Sequence, residues 1–189
     1  MKVLHVYRTY FPDTQGGLEE VIRQICLGTR KQGVSSRVFT LSDEPFPAFL
    51  PRVEADVVRV RKTFEVASCG FALTGIRRFI KEVEWADIVH YNYPWPFSDL
   101  LYLIAGQRKP AVLTYHSDIV RQKFLLAMYR PMMERYLGRM RRIIATSPNY
   151  FATSEILNGF AEKVDVIPIG LDEPSYPTTD ERNRDLARV

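Results

Sequence analysis

The chain has 189 residues, 46% of them hydrophobic and 25% charged, with two cysteines and three histidines. That length suits one domain able to bury around 70% of its unfolded surface, and the composition excludes long disorder. The 26 Lys and Arg against 22 Asp and Glu leave a net charge of +4, too mild to imply nucleic acid but suited to an anionic surface. The longest uninterrupted apolar stretch, Leu100 to Ala105, is six residues, far short of a membrane span. His5 and Arg8 interrupt any signal-peptide core at the N-terminus, and Cys26 and Cys69 lack ligand spacing. A reduced, cytoplasmic protein is the expectation.

In chain order, the first apolar run is Lys2 to Tyr7, and two glycines, Gly16 and Gly17, follow it. Leu18, Val21, Ile22, Ile25 and Cys26 then form one helical stripe, with Gly33 placed for its C-cap. Ser36 to Leu41 reads as a strand, and Asp43 to Ala55, with Pro45, Pro47 and Pro51, as a loop. Strands are expected again at Val57 to Val60, Asp87 to Tyr91, Ala111 to Tyr115, Arg142 to Thr146 and Val164 to Ile169. Helices are expected at Leu73 to Glu84, Phe97 to Gln107, Gln122 to Gly138 and Asn149 to Asn158. This alternation predicts an α/β, Rossmann-like, doubly wound and mostly parallel sheet of about seven strands. Residues 1–171 form the expected domain, and 172–189, with Pro174 and Pro177, a linker or the start of a second domain.

In such sheets ligands bind beyond the carboxyl ends of the strands, so the chemistry is sought there. Gly16-Gly17 before a helix suits a phosphate, since glycine lets a ligand approach and the helix N-terminus offers free N–H groups. An ordinary glycine turn is the alternative. No Gly-x-Gly-x-x-Gly occurs, which argues against a nicotinamide-dinucleotide site. Glu19 in the first turn can complement the helix dipole. His116, directly after the Ala111 strand, can titrate or hydrogen-bond near neutral pH, with Asp118 to orient it or to cap the next helix. Ser117 lies in no Gly-x-Ser-x-Gly elbow, so a serine hydrolase is not supported. His5 and His90, inside strands, read as core histidines, and three histidines without ligand spacing argue against zinc.

Tyr91, Tyr93, Trp95 and Phe97 alternate with prolines and polar residues at another strand end. They suit stacking against sugars or bases, or else a packed loop. From Arg121 to Arg142 seven basic residues face one acid, Glu134. Such a helix can rest on an anionic membrane or simply be a solvated face.

Together and in this order these signals resemble the amino-terminal domain of family 4 retaining glycosyltransferases, which have the two-domain GT-B architecture. The residues that carry the likeness are Gly16-Gly17-x-Glu19, Ala86-Asp87-Ile88-Val89-His90, Thr114-Tyr115-His116-Ser117-Asp118, Ile144-Ala145-Thr146-Ser147-Pro148 and Val166-Ile167-Pro168-Ile169-Gly170-Leu171-Asp172. The stretch around His116 and Ile119 to Lys123 looks like enzymes of bacterial surface polysaccharide assembly, such as mannosyltransferases of O-antigen synthesis. The resemblance implies transfer of a sugar from a nucleotide-diphosphate donor to an acceptor hydroxyl with retention. No cofactor or metal is expected; the nucleotide sugar is a co-substrate. It places the donor phosphate and sugar at Gly16 and Gly17, and gives His116 a catalytic role near the transferred sugar. Tyr91, Tyr93, Trp95, Asp118, Arg121 and Lys123 become acceptor-side candidates. The implied partners are a nucleotide sugar, a saccharide or lipid-linked acceptor and an anionic membrane face, but no nucleic acid.

In that family the second domain supplies most of the donor site, including two glutamates separated by seven residues. Glu155 and Glu162 lack that spacing, so this chain is expected to be one domain of a larger enzyme, without full turnover alone. Two other readings stay open: a stand-alone α/β module that binds a nucleotide or sugar phosphate without catalysis, and a membrane-surface adaptor that uses the basic helix.

Overall fold

The computed structural model describes residues 1–66, 69–105, 108–118 and 123–171. The chain begins with β1 (Lys2–Val6), α1 (Gly17–Arg30), β2 (Ser35–Ser42), β3 (Phe49–Pro51) and β4 (Asp56–Arg61). A hairpin, β5 (Phe64–Val66) and β6 (Cys69–Phe71), precedes a short 3-10 turn, α2 (Ile76–Trp85) and β7 (Ile88–Tyr93). Then come α3 (Pro96–Ile104), β8 (Ala111–Tyr115), α4 (Lys123–Arg139) and β9 (Arg142–Ala145). The last elements are α5 (Pro148–Thr153), α6 (Glu155–Asn158) and β10 (Val164–Val166).

Eight strands make one sheet in the order β10-β9-β8-β7-β1-β2-β4-β3. All neighbours are parallel except β3 and β4. The order reverses direction at β1: the chain winds outward through β2 and β4, then returns to lay β7, β8, β9 and β10 on the other side. The crevice between the ends of β1 and β7 is therefore the switch point where such sheets bind ligands.

All seven expected strands are present, and β3 is an eighth. It lies inside the stretch read as a loop, which corrects that reading. β3 is an edge strand with Pro51 opposite Asp56, and an edge tolerates a residue that cannot donate to the ladder. The two-stranded β5–β6 hairpin had no sequence signal. The helix expected over Asn149 to Asn158 is two short ones, because Ser154 leaves the helix and accepts from Leu157 N as the cap of α6. β10 stops at Val166, before Pro168. The tail from Asp172 lies outside the described residues.

The parallel strands are covered on both faces, which explains their unbroken apolar runs. On one face Leu4, Val6, Phe39, Val58, Val89 and Leu113 pack with α2, α3 and α4, and Phe39 meets Phe79 edge-on at 5.3 Å. On the other, Ile22 and Cys26 of the α1 stripe pack against Val38 and Val57. Each fully buried apolar side chain of this kind contributes about 1.5–3 kcal/mol. Gly33 ends the turn after α1 at φ 78, a left-handed conformation that glycine adopts without steric cost.

Candidate functional site

The loop after β1 is tied down along its length. Tyr7 N donates to Phe39 O and Thr14 N to Tyr10 O, and the Tyr10 hydroxyl reaches Glu54 Oε1 at 3.3 Å. Thr14 Oγ1 donates to Glu19 Oε1 at 2.8 Å, so buried Glu19 anchors the loop in addition to its place in the first helical turn. Helix α1 starts at Gly17, and its N-cap Gly16 supplies no side-chain acceptor. The amides of the first turn thus keep their capacity to bind an anion.

The two glycines have different reasons to be small. A Cβ on Gly16 would stand 2.8 Å from Glu19 Oε2, inside the protein's own packing. A Cβ on Gly17 would meet nothing within 4 Å. Nothing within the described fold requires the bare backbone at Gly17, whereas a ligand approaching the helix end would.

His116 leans toward the switch point. Its backbone N–H donates to Tyr93 O at 3.1 Å, and its ring Nε2 lies 3.1 Å from Asn92 Oδ1. A carbonyl oxygen only accepts, so Nε2 carries the hydrogen and Nδ1 keeps its lone pair. Burial lowers the imidazole pKa to about 4, so the ring is neutral at pH 7. Beside it, Asn92 Nδ2 is buried without a hydrogen-bond partner among the described residues. Such an orphaned donor calls for a ligand or a water.

Among the described residues Asp118 bonds to Tyr115 and Ser154 and not to His116, while the residues between it and α4 lie outside the described ones. It accepts from the Tyr115 hydroxyl at 2.7 Å and from Ser154 Oγ at 3.1 Å, pinning the end of β8 to the start of α6. Tyr91, Tyr93 and Trp95 are corrected as well: all three are at most 1% exposed and present no stacking face. Tyr91 meets Tyr102 and Tyr136 edge-on, Tyr93 stacks on Tyr115 at 4.5 Å, and Trp95 donates Nε1 to Gly70 O at 3.0 Å. The packed alternative is the one observed, because β7 is an inner strand roofed by α3 and α4. Arg121 lies outside the described residues, and Lys123 is the first residue of α4. Further along that helix Met133, Tyr136 and Leu137 face the core while Arg130, Arg135 and Arg139 are exposed.

Three features went unnoticed in the sequence. His5 Nδ1, His90 Nδ1, His90 Nε2 and Thr114 Oγ1 form a buried chain across β1, β7 and β8, with gaps of 3.1 and 2.7 Å. Asp99, fully buried in α3, accepts from the Tyr129 hydroxyl and Ser98 Oγ, and burial raises its carboxyl pKa to about 8. Its only signal was an acid in a first helical turn. The third is a cleft of about 510 Å³ at the carboxyl ends of β1, β2 and β4, lined by Arg8, Thr9, Asp13, Thr14, Ser42, Asp43, Glu44, Lys62, Glu65 and Gly70 among others. Lys62 pairs there with Asp43 at 3.1 Å and Glu65 at 3.0 Å. Phe46, Phe64 and Val66, all exposed, neighbour these lining residues. Among the described residues no three His, Cys, Asp or Glu side chains converge as a metal site would require, and no helix is long and apolar enough to cross a membrane.

The model of the Glycosyltransferase Family 4 family matches residues 15–173. The chain is 46% identical over 177 residues to D-rhamnosyltransferase WbpZ of Pseudomonas aeruginosa, covering 94% of this chain and 46% of that protein. It is 42% identical over 173 residues to O-antigen chain mannosyltransferase C of Escherichia coli, covering 92% and 47%. The chain thus spans about half the length of these curated relatives. The crystal structure of Anabaena Alr3699/HepE in complex with UDP and glucose superposes with a TM-score of 0.65 at 18% identity, over 100% of this chain and 49% of that one. That likeness supports the fold, a half of the GT-B architecture.

Proposed function

Because the chain belongs to glycosyltransferase family 4, we propose that it is the acceptor-side half of an enzyme that transfers mannose or D-rhamnose from a nucleotide-diphosphate donor, with retention, to a saccharide of O-antigen assembly. The observation that carries this reading is the 46% identity to a D-rhamnosyltransferase over 94% of the chain. The open space at Gly17, after β1, and the neutral His116, after β8, fit this reading.

In this reading the donor phosphate lies against the uncapped start of α1, where N–H groups and the helix dipole favour negative charge. The Nδ1 lone pair of His116 accepts from a sugar hydroxyl or faces the positive charge growing at the anomeric carbon. The acceptor oxygen bonds to that carbon, and the electrons of the breaking C–O bond pass to the diphosphate. The diphosphate takes the acceptor's proton, since the low pKa of His116 makes it a poor base at pH 7. The reaction calls on no metal or cofactor of the protein's own. The cleft beside β2 and β4 takes the acceptor: its paired carboxylates and cations offer hydrogen bonds to sugar hydroxyls on many sides. The exposed Phe46, Phe64 and Val66 and the basic face of α4 fit a lipid-linked acceptor at the anionic inner face of the cell membrane.

The test uses His116→Ala and Gly17→Val in the enzyme that joins this domain to its donor-binding half. Both are expected to lower kcat by about 100-fold or more while the melting temperature stays within a few degrees. Wild-type kcat in both variants would refute the assignment, and sugar-nucleotide binding without any transfer would favour a non-catalytic module.

A further inference from the structure

One buried guanidinium joins the two walls of the cleft. Arg59, on β4, has a side chain only 6% exposed. Its Nε donates to Asp13 Oδ2 at 2.8 Å and its Nη2 to Asp13 Oδ1, a two-point pairing with the loop between β1 and α1. Nη2 also reaches Glu44 O at 2.8 Å and Ser42 Oγ at 3.2 Å, and Nη1 reaches Pro47 O at 3.2 Å. Ser42 ends β2, and Glu44 and Pro47 belong to the segment between β2 and β3. The same Ser42 hydroxyl accepts from Glu44 N at 3.1 Å.

Asp13, Ser42 and Glu44 line the cleft, yet Arg59 itself does not. Its donors are spent on protein acceptors and its charge on Asp13, so it has little left to offer a ligand. What it can do is hold Asp13, four residues before Gly17, at a set distance from Ser42 and Glu44. Asp13 sits in a turn and Glu44 in an irregular stretch, so neither is held by a strand ladder or a helix. A guanidinium suits the task because its planar fork serves a carboxylate and several carbonyls at once; an ammonium is a single point charge.

We propose that Arg59 is a positioning residue that sets the width of the acceptor cleft by fixing Asp13 against Ser42 and Glu44. The inference rests on reading that cleft as the acceptor site. Its effect falls on acceptor binding first, because both walls it holds belong to the cleft, while His116 and Asn92 are held by other contacts.

The test is made in the enzyme that carries this domain, with Arg59→Lys, Arg59→Ala and Asp13→Asn, the last keeping the shape of the pair without its charge. Arg59→Lys and Asp13→Asn are expected to raise the KM for acceptor at least about tenfold and leave the donor KM within about twofold. Millimolar methylguanidinium should restore part of the loss in Arg59→Ala, and methylammonium should not. A lowered melting temperature with an unchanged acceptor KM in the variants that fold would overturn the proposal and leave Arg59 as packing. So would equal rescue by the two cations. Asp43→Arg serves as the separate control, since Asp43 is an exposed wall residue whose replacement narrows the cleft without touching the fold. If Asp43→Arg raises acceptor KM and the Arg59 and Asp13 variants do not, the positioning role falls and the acceptor cleft stands. If none of them moves acceptor KM, the acceptor assignment of the cleft falls too.

Discussion

On the β2 and β4 side of β1, the strands end in an open cleft lined by ion-paired side chains; on the β7 and β8 side, they end in buried tyrosines. Both regions occupy the edge of the sheet where ligands bind, but they use their polar atoms in opposite ways. In the cleft, Lys62, Asp43 and Glu65 remain wet and adjustable, as a binding surface for hydroxyls would be. Around β7, the Tyr93 hydroxyl turns inward to Met133 Sδ, Trp95 Nε1 is taken by Gly70 O, and Asp99 is sealed in. The aromatic side gives the site a rigid wall, from which His116 is hung by Tyr93 O and Asn92. Aromatic side chains at a strand end therefore mark a floor here, and dispersed charges in an irregular segment mark the cleft.

The sharpest way to break this contrast is to truncate the floor. Trp95→Ala should cost about 3–5 kcal/mol in denaturant unfolding, as for a large core side chain, whereas Asp43→Ala in the cleft should stay within about 0.5 kcal/mol. Comparable small losses would return Trp95 to the surface.

The pH response separates the regions next. Folded Asp99 keeps its proton up to about pH 8, while the unfolded chain releases it near pH 4. Over that window the folded state binds more protons, so stability is present at low pH and lost as pH rises, by up to about 1.4 kcal/mol per unit. Asp99→Asn should abolish this slope, and parallel stability curves for the two proteins between pH 5 and 8 would place Asp99 in a wet setting. His5, at the seam between the regions, has the opposite sign. Burial holds it down to about pH 4 against 6.5 unfolded, so its contribution is full above 6.5 and lost as pH falls toward 4. His5→Gln should remove about 3 kcal/mol of this acid sensitivity, read as the difference between the variants' curves.

The smallest effect falls on the glycines. Gly16→Ala should cost about 1 kcal/mol, because Glu19 must give way and loosen from Thr14, while Gly17→Ala should be neutral or gain a few tenths. A loss at Gly17 equal to that at Gly16 would remove the argument that only a ligand needs the bare backbone there.

The seven parallel strands, the α1 stripe and the Gly33 turn were all legible from local signals, as was the likeness carried by Gly16-Gly17, His116 and the Val166 to Asp172 stretch. Periodicity and turn chemistry act over a few residues, so they survive in the linear order. Strand β3 was hidden because its pairing with β4 makes the strand and its prolines obscured it. Burial is also a long-range property: Tyr91, Tyr93 and Trp95 look like a stacking surface until α3 and α4 cover them. The same holds for ion pairs, since Asp13 and Arg59 are 46 residues apart and meet only when β4 packs beside β2. Local chemistry thus decided that the chain is a doubly wound α/β domain with a glycine-ended first helix and a histidine at a strand end. Only the assembled sheet decided which of its polar and aromatic residues are floor, which are cleft, and which hold one to the other.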